Sequence, residues 1–272
     1  SRVVFSLLDP DPRVNGGGMK ILKNNGLDVT HGIMKEEMFE IYQGYFLNKL
    51  YQRPQIILKL ATSLDGKISS KLNTFSKITN STSQKYLHIL RSEVDAVLVG
   101  SNTVRIDNCL LTCRAKGLTK FSPIRVVLNK NLDIKKDYKI FKNCGKIRTI
   151  IFSKNVKENK IKSFLKNNVE VISVDEKNYN LHFLVKYLSK LGVSKLLVEG
   201  GGKVFSSFFK SGLGDLVYIF RSNFFIGSKG KDAISSNQIR NLKKNKYNLK
   251  MLTTFNNDQL EILGNYNKKK LF

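Results

Sequence analysis

Short, nearly continuous apolar runs recur along this chain, separated by polar turns and by stretches with helical spacing. Gln55–Ala61, Ala96–Gly100, Ile124–Asn129, Ile147–Ser153, Val169–Val174, Lys195–Val198 and Leu216–Phe220 are such runs. Runs with little alternation suit strands covered on both faces. Between them, Ser81–Ser92 carries Tyr86, Leu87 and Leu90 on one side, and Leu181–Leu191 and Val204–Ser211 repeat that spacing. Strands alternating with helices predict an α/β fold with a largely parallel sheet.

A first unit, Ser1–Tyr51, precedes a boundary at Arg53-Pro54. Arg2–Leu7 and Leu27–Thr30 are predicted strands, and Met19–Asn25 is a predicted helix ending at Gly26. Asp9–Pro12 is a turn, because each proline fixes φ and pushes its predecessor to extended geometry. Lys35–Lys49 is predicted as a helix with Met38, Ile41, Tyr42 and Tyr45 on its apolar side. The Lys/Asn-rich stretches Asn155–Asn168 and Asn237–Asn248 read as solvated surface helices or loops.

Charge changes the picture less than its size suggests. Lys+Arg number 47 against 21 Asp+Glu, a formal net charge of +26. The lysines are spread through the chain as a general bias. Their clusters (Lys243, Lys244, Lys246; Lys268–Lys270) lack the interleaved aromatics of a single-strand binder. Nucleic acid is therefore not an expected partner, although the field favours anionic small molecules. No run approaches the ~20 apolar residues of a membrane span, so no membrane partner is expected. The three cysteines, Cys109, Cys113 and Cys144, are an odd number without zinc-site spacing, which points to a reducing cytoplasm. His31, His88 and His182 are isolated and read as surface or packing residues.

Chemistry concentrates at the predicted strand ends. Lys59 lies within Gln55–Ala61 and is either a cation facing a cleft or a snorkelling lysine on an edge strand. Leu64-Asp65-Gly66-Lys67 reads as a turn. Gly100–Thr103 precedes Asp107 and is either a close-approach segment for a ligand or an ordinary strand-to-loop connection. Glu199 stands before Gly200-Gly201-Gly202, where a strand meets a helix. Glycines there admit a diphosphate to the helix N-terminus, or simply make a tight turn. Glu199 is expected beside the same cleft as Lys59 and Asp107.

Four ordered blocks carry a family resemblance. They are R-P-x-x-x-L-K-x-A-x-S-L-D-G-K at Arg53–Lys67, L-R-x-x-x-D-A-V-L-V-G…L-T-x-R at Leu90–Arg114 with Cys109 for proline, P-x-R-x-V-L at Pro123–Asn129, and V-E-G-G at Val198–Gly201. The chain resembles the bifunctional riboflavin-biosynthesis deaminase/reductase family, its reductase domain above all. That resemblance implies a dihydrofolate-reductase-like, mostly parallel sheet flanked by helices over residues 52–272. It also implies a homodimer, and NADPH reduction of the ribosyl group of 5-amino-6-(5-phosphoribosylamino)uracil to ribityl. Lys59, Asp107 and Glu199 are the implied catalytic residues. Ser76, Arg91, Leu111 and Arg114, with Glu199, are the implied substrate contacts, one or both of the arginines on the phosphate. Ala61, Thr103, Asp107, Gly201, Gly202, Lys203, Val204, Phe205, Ser206 and Ser207 are implied to line the NADPH site.

Asp9–Gly18 resembles the D-P-x-P-x-V-x-G-x-G segment at the end of that family's deaminase domain, so residues 1–51 are expected to be a truncated α/β deaminase remnant. The H-A-E and P-C motifs that would hold zinc are not in the sequence, so neither zinc nor deamination is expected of this chain. With Ser1 in place of an initiator methionine, the chain is expected to begin inside a longer product. The competing expectations are a related NADPH reductase of another pyrimidine or pterin, and a basic module that kept the fold without the chemistry.

Overall fold

The structure, a computed structural model, describes residues 1–234 and 246–265. The predicted surface stretch from 237 to 245 and the Lys268–Lys270 cluster lie outside the described residues. The chain divides into two units, Ser1–Gln55 with Val185–Ser194, and Ile56–Leu184 with Lys195 onward.

In the first unit, β1 (Arg2–Phe5) pairs in parallel with β2 (Asp28–His31), joined by helix α1 (Gly17–Asn24). Helix α2 (Lys35–Tyr51) follows. Its expected apolar stripe is turned: Ile41 is 59% and Tyr42 50% exposed, and the buried face is Gly44, Phe46 and Leu47. Asn48 Nδ2 donates to the Val193 carbonyl at 3.1 Å, anchoring the last turns of α2 within this unit.

The second unit is built on a nine-stranded sheet. In chain order its elements are β3 (Gln55–Thr62), β4 (Lys67–Ser69), α3 (Ser81–Ser92), β5 (Ala96–Gly100), α4 (Ser101–Asp107), β6 (Ile124–Leu128) and β7 (Thr149–Lys154). There follow α5 (Glu158–Leu165), β8 (Glu170–Val174), α6 (Leu181–Lys190, which from Val185 on belongs to the first unit), β9 (Lys195–Val198), α7 (Gly202–Lys210) and β10 (Leu216–Arg221). The last are β11 (Lys231–Asp232), β12 (Tyr247–Phe255) and β13 (Asp258–Asn265). The strand order is β12-β13-β10-β3-β9-β5-β6-β7-β8; the two pairings of β13 are antiparallel, and β10–β3, β9–β5, β5–β6, β6–β7 and β7–β8 are parallel. The expectation of an α/β, mostly parallel sheet flanked by helices is met.

Burial follows from the parallel arrangement. All five residues of β5 are buried, and Ile57, Leu87, Leu90, Val97, Val127, Ile151 and Leu197 join one core. Strand β3 lies between β10 and β9, so the edge-strand reading of Lys59 is overturned. Gly100 to Asp107 is not a loop either, because α4 begins immediately after β5. The stretch 155–168 holds α5, whose Phe164 is buried in the core rather than solvated.

The hairpin β12–β13 was not predicted. Its turn, Asn256-Asn257, sits between paired Phe255 and Asp258, with Asn256 at φ 55°. Asparagine tolerates that left-handed geometry. Strand β13 alternates strictly, burying Asp258, Leu260, Ile262 and Gly264. Tyr247 and Asn248 therefore begin a strand, not a surface loop.

Order in the sheet positions the site. From β5 the chain proceeds outward through β6, β7 and β8, whereas from β9 it crosses β3 to reach β10. The direction reverses between β5 and β9, and open α/β sheets bind ligands at the carboxyl ends of strands at such a switch point.

Candidate active site

A cleft opens at that switch point. Lys59 and Ala61 of β3 line it with Thr103 and Asp107 of α4, Glu199 after β9, and Gly201 at the head of α7. The segment Thr74–Thr79, Gln84, Asn102, Ile106 and Lys231 also line it. Alternation along β3 puts Ile57, Lys59 and Ala61 on one face.

Glu199 is the best-fixed group. Arg91, near the end of α3 and 7% exposed, donates from Nε to Oε1 at 2.6 Å and from Nη2 to Oε2 at 2.8 Å. Its Nη1 donates to the Thr112 carbonyl at 3.2 Å. The fork matches the carboxylate, giving a bidentate, charge-assisted pair. Burial works to raise the Glu199 carboxyl, but the Arg91 guanidinium, with help from Lys59, holds it below the usual carboxylate range.

Lys59 has a different environment. Its ammonium lies 5.5 Å from the Phe220 ring centroid. Burial pushes it below the ordinary lysine range, against the pull of Glu199 and Asp107. Asp107 is raised, chiefly by burial, against Lys59 and Lys231. The cleft thus holds one ionised carboxylate, one carboxyl biased toward its neutral form and one ammonium that releases its proton more readily. Nearby Cys109 is pushed up to about 12 by burial and by Asp107 and Glu199, so it is not a thiolate nucleophile.

Helix α7 starts at Gly202 with Gly201 as its N-cap, no side-chain cap and no acidic residue in its first turn. Gly201 N–H donates to Thr103 Oγ1 at 3.2 Å. Val204 packs directly on two strand ends: a Cβ on Gly200 would lie 2.4 Å from Val204 Cβ, and one on Gly100 2.8 Å from its Cγ2. No larger residue fits at either position without moving α7.

The other expected site residues scatter. Lys203, Val204 and Ser207 line a second, mostly apolar cavity with Leu128, Phe152, Tyr179, Asn180 and Leu181. Gly202, Phe205 and Ser206 are buried within α7 and line neither cavity. Leu111 is 2% exposed in the core, held there by a positive φ of 54°. Arg114 is exposed, its N–H 3.2 Å from His88 Nδ1, and its guanidinium is lowered by burial and by Arg91. Ser76 lines the cleft, but its hydroxyl accepts from Ser70 N–H at 2.9 Å. Phe75 and Lys77 flank the expected Ser76, Asn102 falls in the Gly100–Thr103 segment that was one alternative for ligand approach, and Lys231 was not anticipated.

Among the described residues no cluster of His, Cys, Asp or Glu is arranged to hold a metal, and no helix is long and apolar enough to cross a membrane.

Comparison with known proteins adds four findings. Residues 54–260 match the RibD C-terminal domain family. The riboflavin biosynthesis protein RibD of Aquifex aeolicus (strain VF5) is 36% identical over 80% of this chain, and the chain covers 60% of that protein's length. RibD of Buchnera aphidicola subsp. Baizongia pistaciae is 30% identical over 98% of this chain and 74% of its own length. A solved structure of a Thermotoga maritima diaminohydroxyphosphoribosylaminopyrimidine deaminase/5-amino-6-(5-phosphoribosylamino)uracil reductase superposes with a TM-score of 0.81 at 28% identity. That superposition covers 97% of this chain and 71% of the other.

Proposed function

Because the chain belongs to the RibD C-terminal domain family, we propose that it reduces 5-amino-6-(5-phosphoribosylamino)uracil with NADPH, converting the ribosyl group to ribityl. The observation that carries this is one cleft lined by Lys59, Asp107, Glu199 and Gly201 at the switch point of the sheet.

The residues fit a dinucleotide. Uncapped α7 presents its positive end at Gly201, and Val204 closes on Gly100 and Gly200 so that only backbone faces the turn. The same helix borders both cavities, so Ala61, Thr103 and Gly201 would hold one half of the cofactor while Lys203, Val204 and Ser207 hold the other. When bound, NADPH supplies a hydride for carbon 1 of the ring-opened imine. Lys59, its ammonium made more acidic by burial, gives a proton to the substrate nitrogen. Glu199, kept ionised by Arg91, orients the ribosyl hydroxyls and stabilises the positive charge at the imine. Asp107 faces Lys59 and restores its proton. Arg114 is our choice for the substrate phosphate, and Arg91 acts through Glu199.

The same reading takes the chain as a cytoplasmic homodimer and Ser1–Tyr51 as the end of a deaminase unit. Exposed Leu249, Met251 and Leu252 on edge strand β12 support self-association, and the free cysteines fit a reducing compartment. The test is loss of NADPH absorbance with the deaminated phosphoribosylaminouracil. Turnover by the parent and a fall of about 10²–10⁴ in kcat for Lys59→Ala would support the reading. NADPH binding without turnover would move the substrate assignment, and no NADPH binding would sink it.

A further inference from the structure

His88 and Arg114 meet at one ring nitrogen. His88 stands three residues before Arg91 on α3, so the two side chains leave the same face of the helix. Both reach the segment after α4. Arg91 Nη1 donates to the Thr112 carbonyl at 3.2 Å. His88 Nδ1 lies 3.1 Å from that same carbonyl oxygen and 3.2 Å from the Arg114 backbone nitrogen. Up to Cys113 the segment is pinned: Leu111 and Cys113 are buried, and Cys113 N–H donates to Ser122 Oγ at 3.1 Å. Arg114 is exposed, and its backbone is held by His88. One imidazole nitrogen carries a hydrogen or a lone pair, never both. A hydrogen on Nδ1 would give the Thr112 carbonyl a second donor and set two N–H groups against each other. A lone pair there accepts from Arg114, while the carbonyl keeps its donor in Arg91. That second arrangement leaves neither backbone group without a partner, so hydrogen-bond accounting selects the Nε2–H tautomer.

We propose that neutral His88, as its Nε2–H tautomer, is the positioning residue for Arg114, fixing the backbone from which that guanidinium meets the substrate phosphate. The proposal rests on the reductase reading, which gives Arg114 that role. The surroundings keep the ring neutral. Burial, then Arg91 on the same helix and Arg114 opposite, hold His88 below the ordinary histidine range, against the Thr112 carbonyl and Glu199 at the end of β9. Two further cations, Lys85 on α3 and Lys120 in the short turn Thr119–Phe121 packed on α3, are exposed to solvent. Protonation of the ring puts a hydrogen on Nδ1, and the Arg114 N–H must then part from it.

The experiment measures substrate KM, NADPH KM and kcat for His88→Ala, His88→Asn and His88→Gln in the full chain. Alanine should raise the substrate KM about fivefold, the worth of one hydrogen bond, with kcat and NADPH KM within about twofold of the parent. Asparagine sets Oδ1 where Nδ1 stood and should return the substrate KM to within about twofold. Glutamine reaches toward the Nε2 position instead and should not. Asparagine takes up no proton. The parent's substrate KM divided by that of His88→Asn should therefore rise below about pH 6.5 and stay level above it. The phosphate's own ionisation is common to both chains and cancels in the ratio. Imidazole nitrogen NMR of the parent at about pH 8, above the histidine range, should show His88 Nδ1 bare and Nε2 carrying the hydrogen. Alanine without effect, asparagine no better than alanine, the opposite tautomer or a level ratio overturns the proposal. So does a fall in kcat at unchanged KM, which would make His88 a support of the Arg91–Glu199 pair. A parent chain without turnover breaks the reductase reading alone. Titration of the same variants with ribose 5-phosphate then decides His88. Binding weakened by alanine and restored by asparagine supports the proposal; equal binding by all, or none by the parent, overturns it.

Discussion

Among the described residues of the second unit two arginines are buried, and they are used in opposite ways. Arg91 faces a carboxylate, Glu199, in a bidentate pair at the wall of the cleft. Arg125, on β6 and 0% exposed, has no carboxylate among its hydrogen-bond partners. Its five-donor fork reaches Thr149 Oγ1 at 2.8 Å, the Lys142 carbonyl at 3.0 Å, the Ile147 carbonyl at 3.1 Å and Cys144 Sγ at 3.4 Å. One guanidinium fixes a charged group that the chemistry needs. The other fastens the segment before β7 to the sheet by satisfying its carbonyls. A buried ion pair contributes little net stability, yet losing one partner is severe because the survivor is left uncompensated. Neutral acceptors deprived of a donor cost less each.

Breaking the first member should have the largest effect. Arg91→Met leaves Glu199 buried without its counter-charge, so we expect a stability loss of about 3–5 kcal/mol. We also expect at least about a hundredfold fall in kcat, because Glu199 is no longer held ionised at the cleft. Urea unfolding and NADPH oxidation measure the two. A variant that loses stability but keeps kcat would make the Arg91–Glu199 pair architectural, like Arg125.

That pair also marks where sequence reasoning stopped. The apolar runs located every parallel strand of the sheet, since continuous hydrophobic blocks suit strands covered on both faces. Motif position then put Lys59, Asp107 and Glu199 beside one cleft, because strand ends in such a sheet converge. Pairing across the fold was not legible. Arg91 and Glu199 are 108 positions apart, and nothing local tells a phosphate-binding arginine from one already spent on a carboxylate. Leu111 shows the same limit, since its core position depends on a positive φ that its residue type does not advertise. The β12–β13 hairpin was readable in principle from Asn256-Asn257 and the alternation after it, but lysines and asparagines before it obscured the pattern.

Arg125→Met should give the second-largest effect, and on stability alone. Three oxygen acceptors each lose one donor, the Lys142 carbonyl its arginine partner and the other two one of a pair, while methionine refills part of the volume, so a loss of about 2–3 kcal/mol is expected. In the folded fraction, kcat should stay within about twofold, since none of these groups lines the cleft. A large kcat loss at unchanged stability would show that the β6–β7 segment acts on the site.

Acid titration gives the smallest effect and the sharpest contrast. Glu199 is depressed in the folded protein, so its contribution is fully present above the unfolded carboxylate value of about 4.3 and is lost as pH falls through the folded value. The sign reverses in Arg91→Met. Burial, the largest influence on Glu199, is then opposed by Lys59 but no longer by the guanidinium, so the carboxyl rises above its unfolded value. A raised folded value contributes stability at low pH that disappears as pH rises through it. The deficit of Arg91→Met relative to the parent should therefore begin to shrink above about pH 4.3, where the raised carboxyl of the variant takes up its proton, and go on shrinking below it, where the parent loses its contribution, whereas that of Arg125→Met should stay flat, because no carboxylate answers that arginine. Urea midpoints at several pH values between neutrality and the acid limit read both slopes. Parallel slopes for the two variants would mean that Glu199 is not the group whose charge Arg91 controls.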